Sequence, residues 1–319
     1  MRHPFPERQD GAAMILIFGG TGFIGKHILL DLRRAGHTAT VISRSPEMGF
    51  LERHAPDAPA IRLEDLMAEP DPIFSQARAV IWAAGQTTPA SNPGRPWDEP
   101  ALNLEPLIWA ADHAASAGAH LVYLSSGGSV YGQLPATGRI REDQPLRPLS
   151  PYGMGKQMAE AGIEFLARAR GLRATILRPS NPIGRWQSNR AQGVVGALFR
   201  AARARQPFPM LGDGSVVRDF LPVEDLSRAI RMTLDDPLAS LGKVWNVGSG
   251  QGHSIAEVHA IAERITGHDI PVDRRPARPA DPSYVVLDTT RIERDLGWRA
   301  TTGLKQAMQA VWDHDAGLD

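Results

Sequence analysis

The 319-residue chain sets 35 Lys and Arg against 35 Asp and Glu, a formal net charge of zero, and contains no cysteine. That balance gives no electrostatic support for a nucleic-acid partner. The missing cysteines exclude disulfides, thiolate nucleophiles and Cys-based zinc sites, and they fit a reducing, cytoplasmic compartment.

At this length two structural regions are expected. The opening MRHPFPERQDGAA lacks an apolar h-region and is not a secretory signal; residues 1–13 read as a disordered extension, with Met14 opening the fold. No apolar run approaches the roughly 18 residues needed to cross a bilayer, so no membrane partner is expected. Strands are predicted at Met14–Phe18, Ala39–Ser43, Ala60–Leu63, Ala79–Ala83, His120–Ser125 and Ala174–Arg178. Helices are predicted between them, at Gly22–Ala35, Leu102–Ala117 and Tyr152–Arg170. Several strands are almost wholly apolar, as when helices cover both faces of a parallel sheet. The alternation predicts an α/β fold with a doubly wound parallel (Rossmann) sheet over 14–178. After RPSNPIG the pattern breaks into Pro- and Gly-punctuated pieces, predicting a smaller C-terminal α+β substrate region over 179–319. Within it Val223–Leu234 reads as a helix whose Glu224 and Asp225 charge its first turn, and VWNVGSG as a strand. Residues of about 223–248 are expected to return to the first domain.

The stretch MILIFGGTGFIG runs from an apolar strand into a helical pattern. Gly19, Gly22 and Gly25 have GxxGxxG spacing: a tight turn, a close backbone approach to a pyrophosphate, and close helix–strand packing. A helix N-terminus there offers unpaired N–H groups to phosphate. A tight turn with no ligand is the plain alternative. At the end of the second strand, Ser43 and Arg44 stand where NAD-binding proteins place a carboxylate for the ribose, and the nearest acid is Glu47. A guanidinium matches phosphate geometry, so the cofactor is NAD or NADP with Arg44 favouring NADP. Asp65 offers either an acceptor for the adenine amino group or a loop cap.

Tyr152 and Lys156 in SPYGMGK lie four residues apart and so on one helix face. A free tyrosine titrates near pH ~10, and a neighbouring ammonium favours its phenolate. The pair is therefore a candidate acid/base.

With these residues in place, the chain resembles the extended short-chain dehydrogenase/reductases of the NAD-dependent epimerase/dehydratase family. The stretches that carry the resemblance are GGTGFIG, SSGGSVYG, SPYGMGK, LRPSNPIG, GDGSVVRDFLPVEDL, WNVGSG and ARPADPSYVVLDTTR. It implies Tyr152 as acid/base and Lys156 as its partner. It implies cofactor contacts from Gly19, Gly22, Phe23, Ile24, Gly25, Ser43, Arg44, Asp65, Leu66, Ala83, Ala84, Tyr152, Lys156 and Pro179. Where many relatives place a catalytic Ser or Thr this chain has Gly127, so the hydroxyl falls to Ser126, with Ser129 as the alternative. The Asp-Glu pair of the dehydratases is replaced by Gly128-Ser129, which leaves no carboxylate there to remove a carbon-bound proton. For the nucleotide sugar, the resemblance implies Asn181, Arg218 and Arg278 at the diphosphate and Asp281 at a ribose hydroxyl. Val285 would be a small side chain tolerating an N-acetyl group. Trp82 reads as packing, and Asn103 as an N-cap or exposed helix residue. No metal is expected. The resemblance also implies a homodimer, because in relatives the counterparts of the Ala-rich helices Leu102–Ala117 and Tyr152–Arg170 pair across a two-fold axis. The expected activity is 4-epimerisation of a UDP-hexose or UDP-N-acetylhexosamine. The alternatives are an NADPH-dependent 4-keto-sugar reductase and a non-catalytic dinucleotide-sensing regulator.

Overall fold

The apolar runs of the first half assemble into one parallel sheet. The computed structural model describes residues 14–69, 72–88, 95–133, 138–187, 193–277 and 282–316; the extension 1–13 lies outside them. The first six strands are β1 (Met14–Phe18), β2 (Ala39–Ser43), β3 (Ala60–Arg62), β4 (Ala77–Trp82), β5 (His120–Leu124) and β6 (Arg173–Pro179). They are followed by β7 (Asn181–Ile183), β8 (Phe208–Leu211), β9 (Val217–Pro222) and β10 (Val244–Val247). The last three are β11 (Gly252–Ser254), β12 (Val272–Arg275) and β13 (Tyr284–Val285). The seven-stranded sheet runs β10-β6-β5-β4-β1-β2-β3, with every pair parallel.

Helices of the first half are α1 (Phe23–Arg34), α2 (Met48–His54), α3 (Leu63–Ala68), α4 (Ile73–Gln76), α5 (Glu105–Ala117) and α6 (Pro151–Arg170). The second half adds α7 (Val194–Ala204), α8 (Val223–Asp235), α9 (Pro237–Ser240), α10 (Ile255–Thr266), α11 (Thr290–Leu296) and α12 (Leu304–Ala316). Side chains alternate across each strand, so β1 sends Ile15 and Ile17 to one layer and Leu16 and Phe18 to the other. Leu29 of α1 and Ile230 of α8 belong to the first layer; Ala110 of α5 and Ile163 of α6 belong to the second. Trp82 stacks on Phe18 at 4.7 Å within that second layer. A separate core joins α7, α10 and α12. None of the helices, over the described residues, is long and apolar enough to cross a membrane.

Local chemistry sets the helix ends that matter for the site. Ser150 caps α6 by accepting from Gly153 N at 3.1 Å, and Pro151 follows at the first helical position. Before α5 the expected helix start becomes a π turn, Pro100–Leu104. Pro106 has no N–H to give the Leu102 carbonyl, which instead accepts from Gln86 Nε2 at 2.8 Å. Asp225 does more than charge a helix terminus. Its buried carboxylate accepts from Thr301 N (3.1 Å), Thr301 Oγ1 (2.9 Å) and Thr302 N (3.0 Å), tying the segment before α12 to α8.

Two buried histidines make the fold acid-sensitive. Burial drops the His27 pKa to about 4, helped by the nearby cations Arg185 and Arg34 against a bond to the Arg185 carbonyl. Burial, then Arg173 and Arg78, do the same for His120. As pH falls below about 6.5 the unfolded chain takes up these protons and the folded chain does not, so stability drops until about pH 4. Each histidine is expected to cost about 2.5 kcal/mol of stability by about pH 4.5. Urea midpoints at neutral and acid pH measure this, and a flat profile contradicts it.

Candidate active site

The glycine turn forms a cradle at the C-terminal edge of the sheet, next to the point where strand order reverses between β1 and β4. Gly19 has φ +81°, and a Cβ there would come within 2.8 Å of Ala84 N. A Cβ on Gly25 would run into the Gly19 carbonyl, so α1 can sit this close to the turn only with glycine at 25. Gly22 caps α1 with no side-chain hydrogen bond, leaving the first-turn N–H groups of Phe23 and Ile24 toward the cleft that both residues line. A pyrophosphate fits this arrangement: backbone donors, a helix N-terminus and no side chain in the way.

Ser43 and Arg44 line the same cleft beyond the turn, as do Ala83, Ala84 and Pro179. Arg44 donates to Gln86 Oε1 at 2.8 Å across the mouth. Glu47, the nearest acid, is held by Lys26 at 2.7 Å. Asp65 and Leu66 do not reach the wall, where Leu63 stands instead. The reason is a helix start: α3 begins at Leu63 directly after β3, so Asp65 is exposed in its first turn and Leu66 is buried in the core.

Tyr152 and Lys156 project from the first turns of α6 into this cleft. Lys156 Nζ donates to the Leu124 carbonyl at 2.7 Å and lies 5.7 Å from the Tyr152 ring centre. Ser126 lines the cleft with Tyr152, and its hydroxyl favours the Tyr152 phenolate. Burial raises Tyr152 to about 12 against the pull of Ser126, and burial lowers Lys156 to about 8 against the carboxylates Glu160 and Glu99. Ser129 is not on the cleft wall; its amide bonds the Ser126 carbonyl at 3.1 Å, and its own carbonyl packs on Gly153. Gly127 has no room for a side chain, since a Cβ would meet Leu287 Cδ1 at 2.6 Å and the Arg178 carbonyl at 2.9 Å. The loop is clamped from behind. Ser125 donates to Glu160 at 2.5 Å, and Arg178 pairs with both Glu160 oxygens.

Of the residues expected at the nucleotide sugar, Asn181 lies on β7 and donates to the Asp219 carbonyl at 2.9 Å, with its Oδ1 facing Gly128. Arg218 on β9 donates to its neighbour's carbonyl and lies in register with His253 and Val285. Val285 itself is 2% exposed, packed with Val130, Tyr131, Ile140 and Leu287 in a buried cluster, and is not on the cleft wall. Arg278 and Asp281 lie outside the described residues. Sequence reasoning missed Thr21, Gln86, Thr87, Asn103 and Gln187 on the wall. Asn103 is no simple cap: it accepts from Gln86 N and donates to Thr87 Oγ1 and Glu99 Oε2, all within 2.9 Å. The signal available was position, since Gln86 and Thr87 follow the strand next to the switch point.

The family described as NAD dependent epimerase/dehydratase matches residues 15–248. The UDP-glucose 4-epimerase of Azospirillum brasilense is 32% identical over 312 residues, covering 92% of this chain and 88% of that protein. Among solved structures, UDP-glucose 4-epimerase of Thermotoga maritima with UDP-glucose superposes with a TM-score of 0.88 at 27% identity, covering 96% and 99% of the two chains. The Thermus thermophilus UDP-glucose 4-epimerase in complex with NAD gives 0.85 at 27% identity, covering 96% and 100%. The glycine cradle, the placement of Tyr152 and Lys156 on its cleft and these likenesses agree, and the chain belongs to the NAD-dependent epimerase/dehydratase family as a UDP-sugar-epimerase-like extended short-chain dehydrogenase/reductase.

Proposed function

We propose that this protein is a UDP-sugar 4-epimerase acting on a UDP-hexose or a UDP-N-acetylhexosamine with a nicotinamide cofactor. The observation that carries it is Tyr152 beside Ser126 and one helical turn from Lys156, all three on the wall of the cleft that the glycine cradle opens. Gly19, Gly22, Phe23 and Ile24 would hold the pyrophosphate, and Ser43 and Arg44 the adenosine end. Arg44 beside two hydroxyls, with Glu47 already paired to Lys26, supports NADP. When bound, the cofactor supplies a reversible hydride acceptor for one sugar carbon. Tyr152 takes the C4 hydroxyl proton and returns it, while Ser126 holds the same oxygen. The Lys156 ammonium stabilises the phenolate that forms. No carboxylate stands in the Gly127–Ser129 segment to take a carbon-bound proton, so chemistry confined to one hydroxyl fits best. Arg218 and Arg278 would clamp the diphosphate, beside Asn181, with Asp281 at a ribose hydroxyl.

The test is incubation of purified protein with UDP-glucose, UDP-galactose and their N-acetylated counterparts, with no cofactor added. Interconversion of C4 epimers with extractable NADP or NAD is expected. Stoichiometric consumption of NADPH by a 4-keto nucleotide sugar, with no epimerisation, would replace this reading by a reductase.

A further inference from the structure

One buried acid stands beside the catalytic pair with no role in the scheme above. Glu99 is 2% exposed and immediately precedes the π turn Pro100–Leu104. Its Oε2 accepts from Asn103 Nδ2 at 2.8 Å, while Oε1 is buried without a hydrogen-bond partner. Its seat is Gly155, the residue before Lys156. A Cβ at 155 would come within 2.6 Å of Glu99 Oε2 and 3.2 Å of its Cβ, so only glycine lets the carboxylate lie against the turn that carries Tyr152 and Lys156.

The other acid near Lys156 is in a different electrostatic position. Glu160 also lies one turn along α6, but Arg178 holds it through Nε at 3.0 Å and Nη2 at 2.6 Å, with a further bond from Ser125. Its charge is compensated locally. No cation among the described residues forms an ion pair with Glu99, so its field reaches Lys156 uncancelled.

We propose that Glu99 is a positioning residue of the acid/base site, keeping Lys156 an ammonium and, through Asn103, fixing the Gln86–Thr87 wall of the cofactor cleft. This rests on the assignment of Tyr152 and Lys156 as the acid/base pair. The groups that face it are Tyr152 and Lys156 from α6 and Tyr123 from β5; its own segment carries the Arg95–Asp98 pair, 3.2 Å apart. Glu99 raises the proton affinity of all three partners. For Lys156 the effect opposes burial, which already brings it down to about 8. An oxidised nicotinamide ring adds positive charge to the same site, and a carboxylate behind the lysine offsets it.

Glu99→Gln keeps the shape and the acceptor for Asn103 but removes the charge. Both Tyr152 and Lys156 should then titrate lower, so both limbs of the kcat/KM profile move to lower pH by about one unit with KM within about threefold. Glu99→Asp, which retains the charge but draws it back from its seat, should move both limbs less than Glu99→Gln does. Gly155→Ala, which keeps every charge but pushes the carboxylate off its seat, should move the limbs in the same direction as Glu99→Gln. The Tyr152 phenolate is read independently of turnover, as the near-ultraviolet difference between cofactor-bound protein and the same protein carrying Tyr152→Phe. If wild-type protein epimerises nothing, the functional reading fails while this titration still decides the role of Glu99. A reduced kcat with both limbs and the phenolate titration unmoved, in either Glu99→Gln or Gly155→Ala, overturns the proposal.

Discussion

Asp219→Ala is expected to lower the stability of the folded chain by about 4 kcal/mol or more, because it strands several buried donors at once. Asp219 is fully buried on β9. Its Oδ1 accepts from Ser249 N at 2.8 Å, Ser249 Oγ at 2.6 Å and Ser180 Oγ at 3.2 Å. Its Oδ2 accepts from Gly250 N and Leu287 N, each at 3.2 Å. One carboxylate thus joins β9, the loop after β10, the segment after β13 and the residue between β6 and β7. Asp219→Asn should cost about 2–3 kcal/mol, since its amide nitrogen would face the two N–H donors on the Oδ2 side. Urea unfolding of both variants reads the difference; a change under about 1 kcal/mol for Asp219→Ala contradicts the assignment. The loss should reach the site as well, because Asn181 hangs from the Asp219 carbonyl and Arg218 is its chain neighbour.

Asp219 also shows where sequence reading stops. The strands of the main sheet were legible because consecutive apolar and β-branched residues carry their own signal: β1 and β2 fall on the predicted bounds. The glycine turn was legible because its backbone demands are local. The Asp219 partners Ser180, Ser249 and Leu287 lie 39, 30 and 68 residues away, and no local pattern announces such a node. Glu99 reads in the sequence as one more acid in a Pro-bounded stretch, and only the packing of α6 against it reveals Gly155 as its seat. Asp65 and Leu66, expected at the cofactor by resemblance, stand off the cleft wall because a helix starts directly at the strand's end, which no local pattern announces. Val285 was placed by analogy of spacing, whereas its register beside Arg218 leaves it in the cluster under Tyr131. Spacing alone left Ser126 and Ser129 both open; the structure puts Ser126 on the cleft with Tyr152, while the Ser129 amide bonds the Ser126 carbonyl.

Tyr152→Phe is expected to reduce turnover by about 10³-fold, roughly 4 kcal/mol of transition-state stabilisation, with KM within about threefold. The ring and its packing remain; the only loss is the hydroxyl, whose phenolate Ser126 favours. Burial holds that hydroxyl's pKa at about 12, so at neutral pH the free energy of forming phenolate is large unless positive charge is at hand. Lys156 is the cation the protein itself provides, held in place by the Leu124 carbonyl. Ser126→Ala removes only the hydrogen bond that steadies the oxygen, and should cost about 10²-fold. Ser129→Ala should cost little, because Ser129 meets the site through its backbone. Steady-state kinetics of the three variants on whichever UDP-sugar the wild type turns over give the ranking. Turnover by Tyr152→Phe above about a tenth of wild type would remove Tyr152 from the chemistry, since no retained contact of a phenylalanine ring can accept the C4 proton.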